Sequence, residues 1–170
     1  MTANNSDIAV VGHFSIDTIN LPSRNTPFSI LGGASTYSSL AARSLDATAS
    51  VISRVGGNFP DAYLWWLGQE GIDLSGVTKH VSEPTTCFEL SYTKDLSERT
   101  LKLKSKGSTL RLEDIPKDFH AKAVHIAPID DEIPYELVEH LKGCTDTFRL
   151  TLRVCFEASM RQETSLKTPA

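Results

Sequence analysis

Ile8-Ala9-Val10-Val11 is an unbroken apolar run that stops at Gly12. A strand buried on both faces reads this way, and such strands belong to parallel sheets covered by helices. The pattern recurs at Ala49-Ser50-Val51-Ile52-Ser53-Arg54-Val55, closed by Gly56-Gly57, and at Ala123-Val124-His125-Ile126-Ala127-Pro128. Helical stripes lie between these runs. Tyr37, Leu40, Ala41 and Leu45 recur at one helical face. Phe59, Ala62, Tyr63, Trp66 and Leu67 mark a second, with Pro60 near its first turn; Trp66 reads as core and Trp65 falls off the stripe. Pro134, Leu137, Val138 and Leu141 form a third, closed by Lys142-Gly143. Strands alternating with helices predict a doubly wound α/β fold.

The chain has 170 residues, enough for one domain or a domain and a fragment. A net charge of −4 without a dense basic block argues against nucleic acid or an anionic membrane as main partner. No apolar run approaches the roughly 18–20 residues that cross a bilayer. Met1 to Asp7 is polar and lacks Lys and Arg, unlike a secretory signal. Cys87, Cys144 and Cys155 are odd in number and show no C-x-x-C spacing, so a reduced, cytoplasmic setting is expected.

Two places carry chemistry. Just past the first strand stand His13, Ser15 and Asp17, where open α/β sheets bind ligands. Asp17 lies between Ile16 and Ile19; a buried carboxylate there would need a ligand's hydroxyls as partners, or else it caps a turn. Gly32-Gly33 follows the apolar stretch Ile30-Leu31 and opens the first helix, leaving outward N–H groups to which a polar ligand can dock. A plain strand-to-helix turn also explains such a pair. Asn20 to Ser29 reads as a loop or an edge excursion.

The middle of the chain changes character. Thr85 to Thr93 and Arg99 to Lys104 alternate loosely around the polar turn Lys94-Asp95-Leu96-Ser97-Glu98. This predicts a hairpin with one apolar and one wet face: a lid over a site, a dimer surface, or an ordinary extension of the sheet. Asp130-Asp131-Glu132 precedes the third helix, suiting either capping or a metal. After Gly143 the text changes again. Phe148, Leu150, Leu152, Val154 and Phe156 alternate with polar residues, a wet-sided strand pattern, and nothing periodic remains from Ala158. The five histidines are scattered without ligand spacing. No G-x-S-x-G elbow or H-E-x-x-H is present, which disfavours a hydrolase.

Taken in order, several pieces resemble a known family. They are Val10-Val11-Gly12-His13-Phe14-Ser15-Ile16-Asp17; Gly32-Gly33-Ala34-Ser35-Thr36-Tyr37 leading into Leu40 to Leu45; Ser53-Arg54-Val55-Gly56-Gly57-Asn58; Gly71-Ile72-Asp73; and the Thr85-Thr86 hairpin. Together they resemble the N-terminal half of a pfkB-type carbohydrate kinase of the ribokinase family, over about Ile8 to Lys142. The Gly-Gly-x-x-x-Tyr variant resembles archaeal members that phosphorylate polyols such as inositol. The resemblance implies a ribokinase-like, doubly wound Rossmann-type sheet with an inserted β-hairpin lid, incomplete at the C-terminus. The α/β part would span 1–147 with the lid at 85–105, and 148–170 would be an atypical tail, frame-shifted or disordered. By resemblance, Asp17 would bind substrate hydroxyls, with Gly32, Gly33 and Tyr37 completing the substrate site. Phe88, Leu90, Tyr92, Leu101 and Leu103 would line the lid. Tyr37 replaces a common Asn, and Gly57-Asn58 a commoner Gly-Asp.

ATP and Mg would be the family's cofactors. The glycine-rich segment that holds the moving phosphate in this family has no counterpart here, because beyond Gly107 the only glycine is Gly143. No catalytic residue is therefore assigned. The expectation is a truncated sugar or polyol kinase that binds substrate without phosphorylating it. A non-catalytic sugar-binding or regulatory module, and a folding-impaired fragment, remain the alternatives. A homodimer through the hairpin or an exposed sheet edge is expected.

Overall fold

A computed structural model describes residues 6–151. Its centre is a five-stranded, all-parallel sheet of order β5-β4-β1-β8-β9. These strands are β1 (Ser6–Val11), β4 (Ala49–Gly56), β5 (Ile72–His80), β8 (Ala121–Ile126) and β9 (Thr145–Leu150). The three apolar runs of the sequence are β1, β4 and β8. Every residue of β4 is buried, as expected of a strand covered on both faces.

Helices cover the sheet on both sides. α1 (Ala34–Ser44) and α2 (Asp61–Gln69) lie on one side, α3 (Tyr135–Lys142) on the other. Right-handed crossovers require this, since β1, β4 and β5 advance one way across the sheet while β1, β8 and β9 advance the other. Alternate residues of β1 feed the two cores. Val10 packs with Phe14, Phe59 and Leu67, whereas Ala9 and Val11 pack with Leu110, Leu137 and Leu141.

A second sheet of four strands stands on the carboxyl side of β1. It contains β2 (Ser15–Asn20), β3 (Phe28–Gly32), β6 (Thr86–Tyr92) and β7 (Arg99–Ser105), in the order β3-β2-β6-β7. The expected hairpin is β6 and β7. The sequence reading did not anticipate that β2 and β3 join it, nor that Ile72–His80 is a strand.

Other differences have simple causes. The buried residues of α1 are Ser35, Thr36 and Ser39; of the Tyr37–Leu45 stripe Leu40 packs against the core, while Tyr37 is 58% and Leu45 81% exposed. The hydroxyls of Thr36 and Ser39 donate to the carbonyls of Gly32 and Ser35 at 2.6 and 2.7 Å, so these two polar side chains are satisfied locally and pack closely. Trp66 is 38% exposed rather than core, because Phe59 and Leu67 fill the space beneath α2. β9 runs to Leu150, past the expected boundary at Thr147, and pairs with β8 from Ala121↔Thr145 to Ile126↔Leu150. The rest of the expected tail, 152–170, lies outside the described residues. None of the described helices is long and apolar enough to cross a membrane.

Candidate functional site

β1 ends at the position where the chain order of the central sheet reverses, between β4 and β8. Open α/β sheets leave a crevice at such a point. Here the chain rises out of the body through Gly12, His13 and Phe14, all buried, and enters β2 of the second sheet.

Asp17 is the third residue of β2 and is half-buried. Its neighbours follow from the register. Ile30 of β3 and Phe88 of β6 pair with Asp17, and Leu103 of β7 pairs with Phe88. Side chains of paired residues share a face, and alternate residues of one strand share it too. Asp17, Phe88, Leu90, Tyr92, Leu101 and Leu103 therefore lie on one face of the lid sheet. The opposite face carries Thr18, Glu89, Lys102 and Lys104, with Lys104 Nζ 3.3 Å from Glu89 Oε2. The five residues expected for the lid are thus on the carboxylate's side.

The glycine pair meets the carboxylate. Gly32 pairs with Ser15, and a methyl group at Gly32 would overlap both Asp17 Oδ2 and Ser15 Oγ. Gly33 has φ +91°, a conformation that side chains resist, and a Cβ there would lie 2.6 Å from His13 O and 2.9 Å from Ser15 N. The two glycines let the entrance of α1 lie directly against the start of β2. Ser15 Oγ donates to Asp17 Oδ1 at 2.8 Å and leaves Oδ2 towards Gly32. Burial pushes the Asp17 carboxyl above the usual carboxylate range; the Ser15 hydrogen bond and the Arg99 charge on β7 oppose this. A carboxylate held in this way gains from a ligand that brings hydroxyl donors. Tyr37 is exposed one turn along α1 and is not drawn into this contact.

Several further residues support the site, in roles that the sequence did not reveal. Thr85 N–H donates to Asn58 Oδ1 at 2.8 Å, and Gly56 N–H to Thr85 Oγ1 at 3.0 Å, which docks the start of β6 on the end of β4. Asn58 thus has a structural task in its amide oxygen. Arg54 is buried, its Nη1 3.1 Å from Asp114 Oδ2 and its Nη2 3.7 Å from Glu83 Oε1. The acidic triplet does not cap α3, whose N-cap is Pro134. Glu132 is fully buried and accepts the N–H groups of His13, Ile129 and Asp130 instead. A lone Glu within Ile129–Ile133 was the available signal for it. With its oxygens so engaged it is a poor metal ligand. Among the described residues no group of three or more metal-ligating side chains is present.

The fit to ATP and Mg is also poor. The described residues offer no glycine-rich helix entrance beyond Gly107 to hold a transferring phosphate, and Gly143 closes α3 rather than opening a helix. A shallow groove lined by Leu112, Phe119, His140 and Cys144 lies on the α3 side, away from Asp17, and holds no unpartnered buried polar group.

No family model matches the chain. A cytidine kinase of Thermococcus kodakarensis is 29% identical over 138 residues, which is 81% of this chain and 49% of the relative. The chain spans about half the length of the curated relative that it matches. Among solved structures, a pyrophosphate-dependent kinase of the ribokinase family, complexed with a pyrophosphate analogue and myo-inositol, aligns with a TM-score of 0.66 at 20% identity. That alignment covers 84% of this chain and 48% of the other. An uncharacterized sugar kinase from Pyrococcus horikoshii in complex with ATP aligns at 0.69 and 21% identity, covering 86% and 53%. The nucleoside kinase of Methanocaldococcus jannaschii, an archaeal member of the ribokinase family, aligns at 0.65 and 20% identity, covering 85% and 51%. The described residues therefore have the ribokinase-like fold, shared with sugar, nucleoside and inositol kinases of the pfkB or ribokinase family, in agreement with the resemblance carried by the ordered motifs.

Proposed function

We propose that this chain forms the acceptor-binding side of a ribokinase-type small-molecule kinase. A sugar, a polyol, or the sugar of a nucleoside would sit with hydroxyls on Asp17 and its carbon face against Gly32 and Gly33. Phe88, Leu90, Tyr92, Leu101 and Leu103 would close over it, and Tyr37 would contact it at the rim. One observation carries the reading: the Asp17 carboxylate lies directly against Gly32. Phosphoryl transfer needs positioned donors around the moving phosphate. ATP and Mg would be held by residues other than those described, so the chain is expected to bind acceptor without phosphorylating it.

Calorimetry with myo-inositol, ribose and cytidine tests acceptor binding. Asp17→Asn is expected to weaken it by roughly tenfold or more, the loss of hydrogen bonds to a charged group. Incubation with magnesium and either ATP or pyrophosphate, followed by phosphorus NMR, tests transfer. Robust product formation would overturn the acceptor-only reading.

The alternative is a non-catalytic sugar-binding or regulatory module. It is favoured by the same lack of a phosphate cradle, and it would bind acceptor with no dependence on a complementary kinase half. A folding-impaired fragment would instead show neither binding nor a cooperative melt. We infer a cytoplasmic setting with no nucleic-acid or membrane partner, and a homodimer through the hairpin or an open sheet edge.

A further inference from the structure

Four chain segments cross between the α/β body and the lid sheet, and three of them are joined by hydrogen bonds at His13 and Thr86. His13 is 1% exposed. Its N–H donates to Glu132 Oε1 at 3.1 Å, which ties the end of β1 to the loop after β8. On its other side, His13 Nδ1 lies 3.0 Å from Thr86 Oγ1. Thr86 opens β6 and is the register partner of Ser15. The same Thr86 oxygen accepts the Gly107 N–H at 2.9 Å, where the chain returns from β7 to the body. A side chain at Gly107 does not fit, since its Cβ would lie 2.9 Å from Thr86 Oγ1 and 3.0 Å from His13 Cε1.

One hydroxyl carries one proton. Its oxygen also has two lone pairs, so it accepts the Gly107 N–H and still shares a hydrogen bond with His13 Nδ1, as donor or acceptor according to the imidazole tautomer. Nε2 is buried without a hydrogen-bond partner. Burial lowers the imidazole's pKa, which favours the neutral ring. The contact is thus specific: it needs a hydrogen-bonding group at the Nδ1 position and a hydroxyl at residue 86. Packing alone would need neither.

We propose that His13 is a positioning residue. Through Thr86 it sets how the lid sheet sits on the body, and so it holds Ser15 and Asp17 against the glycine pair. Its functional half rests on the acceptor-site reading; its structural half does not.

The test uses the whole chain and three variants. Thr86→Val removes the hydroxyl at constant shape. His13→Leu removes both ring nitrogens. His13→Asn returns a hydrogen-bonding amide near the Nδ1 position. Amide hydrogen exchange is measured in β2, β6 and β7 against β4, with calorimetry on myo-inositol and cytidine alongside. Thr86→Val and His13→Leu are expected to speed exchange in the lid strands about tenfold while β4 is unchanged, and His13→Asn to restore most of the protection. Acceptor affinity is expected to follow the same order. Unchanged lid exchange in Thr86→Val overturns the proposal. So does equal behaviour of His13→Asn and His13→Leu, or loosening of β4 together with the lid. Where His13→Leu does not fold, Thr86→Val decides. A wild-type chain that binds neither probe, but whose lid exchange behaves as stated, overturns the acceptor reading and supports the positioning of the lid.

Discussion

Asp17 stands on β2 beside Ile30 and Phe88, with a serine hydroxyl on one oxygen and a glycine against the other. Its pKa is raised in the fold, so the folded state binds the proton more tightly than the unfolded chain does. The group's contribution to stability is present below its ordinary value and lost as pH rises through the folded value. At neutral pH the unliganded carboxylate therefore opposes folding. Asp17→Asn is expected to raise Tm at neutral pH although it weakens acceptor binding; a melt in which Asp17→Asn is less stable than wild type contradicts this account. His13 has the opposite sign. Burial depresses its pKa against the nearby charge of Glu132, with Arg54 and Lys106 adding to the depression. Its contribution is present above the ordinary histidine value near 6.5 and is lost as pH falls below it. His125, lowered by burial and by Arg149, adds to the same trend. Urea midpoints are expected to fall on acidification from neutral pH to about pH 5, and to fall less in His13→Asn.

At the scale of elements, α1 shows how polarity by residue type can mislead. Ser39 is fully buried, yet its hydroxyl bonds back to Ser35 O within its own helix. Ser39→Ala removes donor and bond together and is expected to change stability by less than about 1 kcal/mol. Ser39→Leu overfills the interface with the sheet and is expected to cost about 1–3 kcal/mol. Chemical denaturation of the two variants distinguishes this close packing from a loosely seated helix. β1, β4 and β8 were readable because strands buried on both faces must be apolar throughout. β5 was not: it is an edge strand that carries Asp73, Ser75 and Gly76, and it escapes that rule. β2 and β3 were hidden for another reason. Ile16 and Leu31 face the body while Asp17 and Ile30 face the acceptor side, so no single apolar period runs through them.

For the molecule as a whole, the lid sheet presents an apolar face on which Leu101 is 40% exposed. We expect this face to associate with a second copy. Sedimentation velocity should show a concentration-dependent dimer in the wild type, shifted towards monomer by Leu101→Lys with Leu103→Lys. A wild type that stays monomeric across the concentration range would contradict it. The sequence by itself determined the α/β class, the three buried strands and the candidates Asp17, Gly32 and Gly33, because burial on both faces and glycine's lack of a side chain leave local marks. Only the tertiary structure decided that Gly32 lies against Asp17 and that the expected lid residues share the carboxylate's face. The docking of the lid through His13, Thr86 and Glu132 was decided there too. Those facts depend on register and on contacts between residues as far apart as 13 and 132, and such pairings leave no period in the chain.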